Sequence, residues 1–155
     1  MKKLAIGSPL PNLIGKNQHG EDINLSSFIG KKTVVYFYPK DDTPGCTAQA
    51  CSLRDGMEEL KEYGIEVIGV SADSIQAHLK FVTKYNLPYT LISDESKEII
   101  SAFGVWGTKK FMGKVYDGIH RTTFLFDEIG ALIHTIDKPD TKNHAQEIMK
   151  KYQIK

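Results

Sequence analysis

Apolar positions along this chain change period several times, and each change marks an element. "TVVYFYP", Thr33 to Pro39, is β-branched and aromatic almost throughout, the signature of a strand covered on both faces. "EVIGVSA" and "YTLIS" read the same way. Between the first two strands, Cys46, Ala50, Leu53, Met57 and Leu60 recur at i, i+4, i+7, i+11 and i+14. That is one stripe of a helix, begun after the Thr43-Pro44-Gly45 break and closed by Gly64. Ser74 is placed to cap a second helix carrying Ile75, Leu79, Val82 and Tyr85. A short helix is expected around Glu95 to Phe103, then a long glycine-rich loop from Gly104 to Gly118. "RTTFLFDEIGALIHTI" predicts two strands joined at Asp127 to Gly130, and "TKNHAQEIMKKYQ" a closing helix. Near the start, "NLIGKNQHGEDINL" predicts a hairpin turning at Asn17 to Gly20.

Strand–helix–strand–helix, then a hairpin and a helix, is the order of a thioredoxin-like α/β sandwich. The expectation is a central mixed β-sheet flanked by α-helices, with an N-terminal β-hairpin. At 155 residues, the chain is expected to form a single domain over 1–155. Its formal net charge of +1 points to neither nucleic acid nor an anionic membrane surface. The Lys109-Lys110 and Lys150-Lys151 pairs read as solvated surface. "MKKLAIGSPLP" imitates a signal peptide, but its apolar stretch ends after Ile6, short of the roughly 7–15 residues of a secretory core. No run approaches the ~20 apolar residues of a membrane helix. The expected address is the reducing cytoplasm, where a cysteine pair is more often catalytic than a permanent staple.

Both cysteines fall in "PKDDTPGCTAQAC". Cys46 lies at the mouth of a helix, where unpaired N–H groups and the helix dipole favour an anion, and the thiolate is the reactive form of cysteine. It also lies on the core stripe, so a small buried apolar residue is the competing reading. Cys51 lies about 140° around the helix, and ideal geometry puts the two Cα atoms roughly 8–9 Å apart. A disulfide needs less than about 7 Å, so the pair cannot bridge within one regular helix. If the bond forms, the first turns unwind. Zinc fits poorly, because the spacing is C-x4-C and His19, His78, His120, His134 and His144 are scattered. His78 falls on the apolar face of its helix and reads as packing; Trp106 reads as structural.

The same stretch carries P-x-x-x-T-x-x-C, with Pro39, Thr43 and Cys46, and so resembles the peroxiredoxins. The C-x4-C spacing resembles the peroxiredoxin Q branch, also called bacterioferritin comigratory protein. "VSADSIQAHLKFVTKYNLPYTLISD" and "VWGTKKFMGKVYDGIHRTTFLFDEIG" are similar to later segments of that branch. The resemblance implies a thiol peroxidase for hydrogen peroxide and organic hydroperoxides, part of antioxidant defence. It makes Cys46 the peroxidatic nucleophile and Cys51 the resolving cysteine, joined in an intramolecular disulfide. Thr43 would hydrogen-bond the thiolate and peroxide, Pro39 would shield the pocket, and Arg121 would be the active-site arginine. It implies no organic cofactor or metal, thioredoxin as reductant, and a monomer. Gln49 departs from the family, standing where other peroxiredoxins have Glu. Two alternatives remain at this point: a general thiol–disulfide oxidoreductase, disfavoured by the lack of C-x-x-C, and a redox-sensing binding module.

Overall fold

A computed structural model describes residues 2–153. Its main sheet has seven strands: β1 (Ile14–Asn17), β2 (Asp22–Asn24), β3 (Lys32–Phe37), β4 (Ile65–Ser71), β5 (Thr90–Ser93), β8 (Thr122–Phe126) and β9 (Leu132–Ile136). Their order is β2-β1-β5-β4-β3-β8-β9. The β3–β4 and β4–β5 pairs are parallel and the others antiparallel, which is the mixed sheet the order of elements predicts. The helices are α1 (Pro44–Asp55), α2 (Met57–Glu62), α3 (Ile75–Tyr85), α4 (Glu98–Ala102) and α5 (His144–Lys151).

Strand β3 explains why the fold has two cores. Successive side chains point to opposite faces. Val34 and Tyr36 join Cys46, Ala50, Leu53, Phe81 and Ile148 on one side; Val35 and Phe37 join Ile68, Ile99, Phe103 and Phe124 on the other. From Val34 to Phe37 a strand covered on both faces shows no polar alternation, as its sequence implies.

The apolar stripe from Cys46 to Leu60 is buried along its whole length. It is carried by two helices rather than one. The break falls at Gly56, where an added Cβ would lie 2.4 Å from the Cβ of Ala145. Gly56 is therefore the residue that lets α5 pack against the α1–α2 junction. Gly64, at φ +71, closes α2 in the left-handed conformation that favours glycine.

Two further expectations are corrected. The glycine-rich segment 104–118 is a two-stranded hairpin, β6 (Trp106–Phe111) against β7 (Lys114–Ile119). Met112 and Gly113, at φ +51 and +81, form its two-residue turn, and positive φ at both positions suits such a hairpin. Most of both strands faces solvent, so no alternation of buried positions was there to announce them. Helix α3 is capped by Ser74, whose hydroxyl accepts from Ala77 N, but it faces inward differently from the Ile75–Leu79–Val82–Tyr85 stripe. His78 and Phe81 are its buried residues, and Leu79 is 43% exposed. The burial of His78 agrees with its reading as packing; Phe81 is the inward residue that the stripe omits.

The other buried histidine, His144, accepts from the Thr123 hydroxyl at Nε2 (2.9 Å) and donates from Nδ1 to Glu147 (2.9 Å). Burial pushes its pKa below the ordinary imidazole value, against the opposing pull of Glu147. The unfolded chain thus binds a proton that the folded chain refuses. Stability is fully present above about pH 6.5 and is lost as pH falls below it. Urea midpoints should therefore decline from pH 7 to 5, less steeply in His144→Gln; identical slopes would remove His144 as the cause. Gly56→Ala should cost about 1–3 kcal/mol by overpacking, with part of that loss recovered in Gly56→Ala/Ala145→Gly. An unchanged urea midpoint in Gly56→Ala would show that α5 shifts freely.

Candidate active site

Helix α1 begins just beyond the C-terminal end of β3, in the Pro39–Thr43 loop. Pro44 occupies its first turn, where no backbone N–H is needed, and Thr43 is the N-cap residue. The Thr43 hydroxyl donates to the Lys40 carbonyl (2.9 Å) and makes no cap bond. Its single proton is committed there, leaving the oxygen's lone pairs free to accept. The first-turn N–H groups consequently have no side-chain cap and remain open to an anion. Pro39 is half-buried where the loop leaves the sheet.

Cys46 sits in that first turn, 2% exposed. Arg121 immediately precedes β8, whose Thr122 pairs with Phe37 at the end of β3. This antiparallel pairing brings a residue 75 positions away to the mouth of α1. Arg121 Nη2 donates to the Cys46 sulfur (3.2 Å), and Nη1 donates to Gln49 Oε1 (2.7 Å). The planar guanidinium is thus aimed by one residue and applied to another, which a lysine could not reproduce. Gly45 makes room: a Cβ there would lie 3.1 Å from Arg121 Nη2. Both cysteines are free thiols.

Two residues of the site have no role assigned to them from sequence. Gln49, one helical turn after Cys46, is fully buried, and its Nε2 has no hydrogen-bond partner among the described residues. Its position at i+3 from the cysteine was the available signal. Lys109, read as solvated charge, donates to the Ile119 carbonyl (2.9 Å) and is partly buried. Burial and then the Arg121 charge push its ammonium pKa down, while Cys46 opposes that shift. The hairpin therefore brings a second cation into the field of the thiol.

Cys51 is half-buried on another flank of α1, and a charge there acts on Tyr89 and Arg54. That flank is tied down. Tyr89 donates to the Ala50 carbonyl (3.0 Å), Arg54 to the Tyr85 carbonyl (2.9 Å), and Ala145 N to the Ser52 hydroxyl (3.3 Å). Trp106 packs against the second core with the Lys97 ammonium 5.1 Å above its ring.

Among the described residues, Asp41, Asp73 and His78 bring potential ligand atoms within 4.8 Å of one another. Those atoms are engaged in hydrogen bonds. Asp41 contacts His78 (2.6 Å), and Asp73 accepts from Asp41 N (2.9 Å) and Ser71 (2.6 Å). We assign the group to anchoring of the loop rather than to a metal, and neither cysteine belongs to it.

Residues 6–135 match the AhpC/TSA family. The chain is 49% identical over 144 residues to peroxiredoxin Bcp of Escherichia coli K12, across 93% of this chain and 92% of that one. It is 47% identical over 146 residues to peroxiredoxin Bcp of Bacillus subtilis 168, across 94% and 93%. Among solved structures, the bacterioferritin comigratory protein of Xanthomonas campestris matches with a TM-score of 0.88 and 30% identity, over 97% of this chain and 96% of that one. A Cys-to-Ser variant of Xylella fastidiosa PrxQ matches with a TM-score of 0.90 and 27% identity, over 99% and 98%.

The fork makes a prediction about the thiol itself. In a Cys51→Ser background, iodoacetamide should label Cys46 at pH 7 about tenfold more slowly after Arg121→Leu, equivalent to ~1.4 kcal/mol, with Arg121→Lys in between. Equal rates in all three proteins would show that the guanidinium does not act on the sulfur.

Proposed function

The chain belongs to the AhpC/TSA family and to its peroxiredoxin Bcp branch, and from that premise we propose that Cys46 is the peroxidatic nucleophile and Cys51 its resolving partner. The protein is a thiol-dependent peroxidase with a thioredoxin-like fold. The similar Xanthomonas campestris protein has alkyl peroxide reduction activity, and we extend organic hydroperoxides, together with hydrogen peroxide, to this chain. The observation that supports the assignment best is the 3.2 Å contact from Arg121 to the Cys46 sulfur, with the same guanidinium held by Gln49.

The thiolate of Cys46 attacks the nearer peroxide oxygen. The S–O bond forms as the O–O bond breaks, leaving a sulfenic acid and an alkoxide or hydroxide that takes up a proton. Ionising a free thiol of ordinary pKa near 8.5 gains only about 30-fold at pH 7, or ~2 kcal/mol. Lower basicity also costs some nucleophilicity. Larger acceleration has to come from aligning the peroxide and stabilising charge on the departing oxygen. Arg121 and the uncapped N–H groups of α1 are placed to stabilise that charge. The Thr43 hydroxyl, its proton committed to Lys40, is left to accept from the peroxide O–H and orient it rather than to bond the thiolate, while Pro39 shields the approach. Cys46 is almost fully buried, so these charges act with little screening by water.

The Cys51 thiol then condenses with the sulfenic acid, releasing water and forming the disulfide. Both residues lie in the continuous helix α1, so the bond requires its first turns to unwind. The anchors at Ala50, Ser52 and Arg54 favour retention of the later turns while Cys46 travels toward Cys51. A thioredoxin-type dithiol reduces the exposed bond and returns both thiols. We take the working form to be a cytoplasmic, single-domain monomer. No helix among the described residues is long and apolar enough to cross a membrane.

Cys46→Ser should abolish thioredoxin-coupled peroxide consumption, and retained turnover would overturn the assignment. Cys51→Ser should consume about one equivalent and stall, with one added oxygen on Cys46 by mass spectrometry. Normal turnover in that variant would remove Cys51 from the cycle.

A further inference from the structure

His78 is fully buried on α3, and both of its ring nitrogens face acceptors. Nδ1 lies 2.6 Å from Asp41 Oδ2 and Nε2 lies 2.9 Å from the backbone oxygen of Ile92 on β5. A carbonyl oxygen only accepts, so Nε2 carries a hydrogen. An ionised carboxylate also only accepts, so a hydrogen must lie between Nδ1 and Asp41 as well. The pair therefore holds one proton more than a neutral imidazole beside a carboxylate. Imidazole is the stronger base, which places that proton on the ring. His144 makes the contrast: a threonine hydroxyl faces its Nε2 and can donate, so a neutral ring satisfies both of its partners.

Asp41 is the residue through which this matters. Its other oxygen accepts from the Tyr38 hydroxyl (2.6 Å), and its N–H donates to Asp73 (2.9 Å). Next to it Asp42, at φ +56, binds Lys84 (2.7 Å) and Tyr85 (2.8 Å) on α3. The Asp42 contacts are exposed and weakened by solvent screening. The His78–Asp41 contact is buried, with side chains 0% and 6% exposed. It joins α3 to the short loop that carries Pro39 and Thr43 and leads directly into the first turn of α1.

We propose that His78 is a positioning residue for peroxide reduction, held as an imidazolium that clamps Asp41 and thereby fixes the Pro39–Thr43 loop and the placement of Cys46 against Arg121. The proposal rests on the reading of Cys46 as the nucleophile. A ring with a single proton could satisfy only one of these two acceptors, so holding Asp41 and Ile92 together requires both N–H groups. The other groups facing the pair come from each neighbouring element. Strand β3 leads to the Tyr38 phenol, which burial and then Asp41 push upward, keeping it a donor. The segment after β4 supplies the Asp73 carboxylate, and Lys40, Lys80 and Lys84 line the adjoining groove. Strand β5 contributes the Ile92 carbonyl.

The test measures the rate of Cys46 oxidation by hydrogen peroxide at pH 7 in the full chain, using stopped flow with quenching and mass spectrometry. His78→Leu should lower the rate about tenfold. Asp41→Asn separates positioning from simple packing, because an amide N–H can donate to a neutral Nδ1 and rebuild the clamp without the extra proton. Its rate should stay within about threefold of the parent, whereas Asp41→Ala should fall about tenfold, as His78→Leu does. An Asp41→Asn rate as low as that of Asp41→Ala, or a His78→Leu rate within about twofold of the parent, would overturn the clamp. Should His78→Leu fail to fold, nitrogen NMR of the parent decides: both ring nitrogens of His78 protonated at pH 7 supports the proposal, and a bare Nδ1 overturns it. A parent whose Cys46 is not oxidised by peroxide would overturn the nucleophile assignment instead, leaving a distinct signature.

Discussion

A guanidinium held against a nearly buried sulfur is the interaction around which this molecule is organised. Arg121 cannot lose its charge, and in a partly dry site that charge is weakly screened. Its placement is a property of the sheet. Strand β8 must pair with β3 in the observed register for Arg121 to arrive beside the first turn of α1, and Gln49 must stay buried on that helix to hold the second arm of the fork. A slip of one residue in β8 would turn every one of its side chains to the opposite face. Burial on both sides of β3 and β8 prevents such a slip, so the hydrophobic cores and the chemistry of the sulfur share one constraint.

Helix α1 carries opposing demands. Its apolar stripe is buried from Cys46 onward, which stabilises the helix, yet a bond from Cys46 to Cys51 requires its first turns to open. The distribution of contacts eases this conflict. Beyond Ala50 the helix is tied to α5, to the end of α3 and to Tyr89, and Tyr89 also receives the hydroxyl of Tyr36. Before Ala50, the side-chain hydrogen bonds run from Arg121 to Cys46 and Gln49, and the N-terminus lacks a side-chain cap. Oxidation of Cys46 alters one of those contacts directly. Local opening is drawn from the less anchored part of a structure, and here that part contains the sulfur proposed as the nucleophile.

Legibility in sequence followed the source of the signal. Buried strands and the α1–α2 stripe announced themselves because apolar periodicity and burial coincide. The β6–β7 hairpin did not, because strands exposed on both faces have no buried period; its mark was the Met112-Gly113 turn. The pattern places His78 on an inward face but does not show that its two ring nitrogens face Asp41 and the Ile92 carbonyl. Gln49 was noted as a departure from the family, with no sign that it would aim a guanidinium. Lys109 was indistinguishable from surface charge, because the half-desolvated environment that sets it apart comes from the hairpin's fold.

Taken alone, the sequence determined the order of the strands of the main sheet, the twice-covered central strands, the placement of Cys46 at a helix mouth and the separation of Cys51 from it. These follow from local periodicity and helix geometry, which a chain carries in itself. The tertiary structure decided which distant groups surround the sulfur. Arg121 arrives through strand pairing, Lys109 through a hairpin, and the Asp41–His78 contact through packing of α3 against the sheet. The helix break at Gly56 likewise depended on where α5 would lie. Each is a contact between segments far apart in sequence, and only closure of the whole sheet brings them within hydrogen-bonding distance.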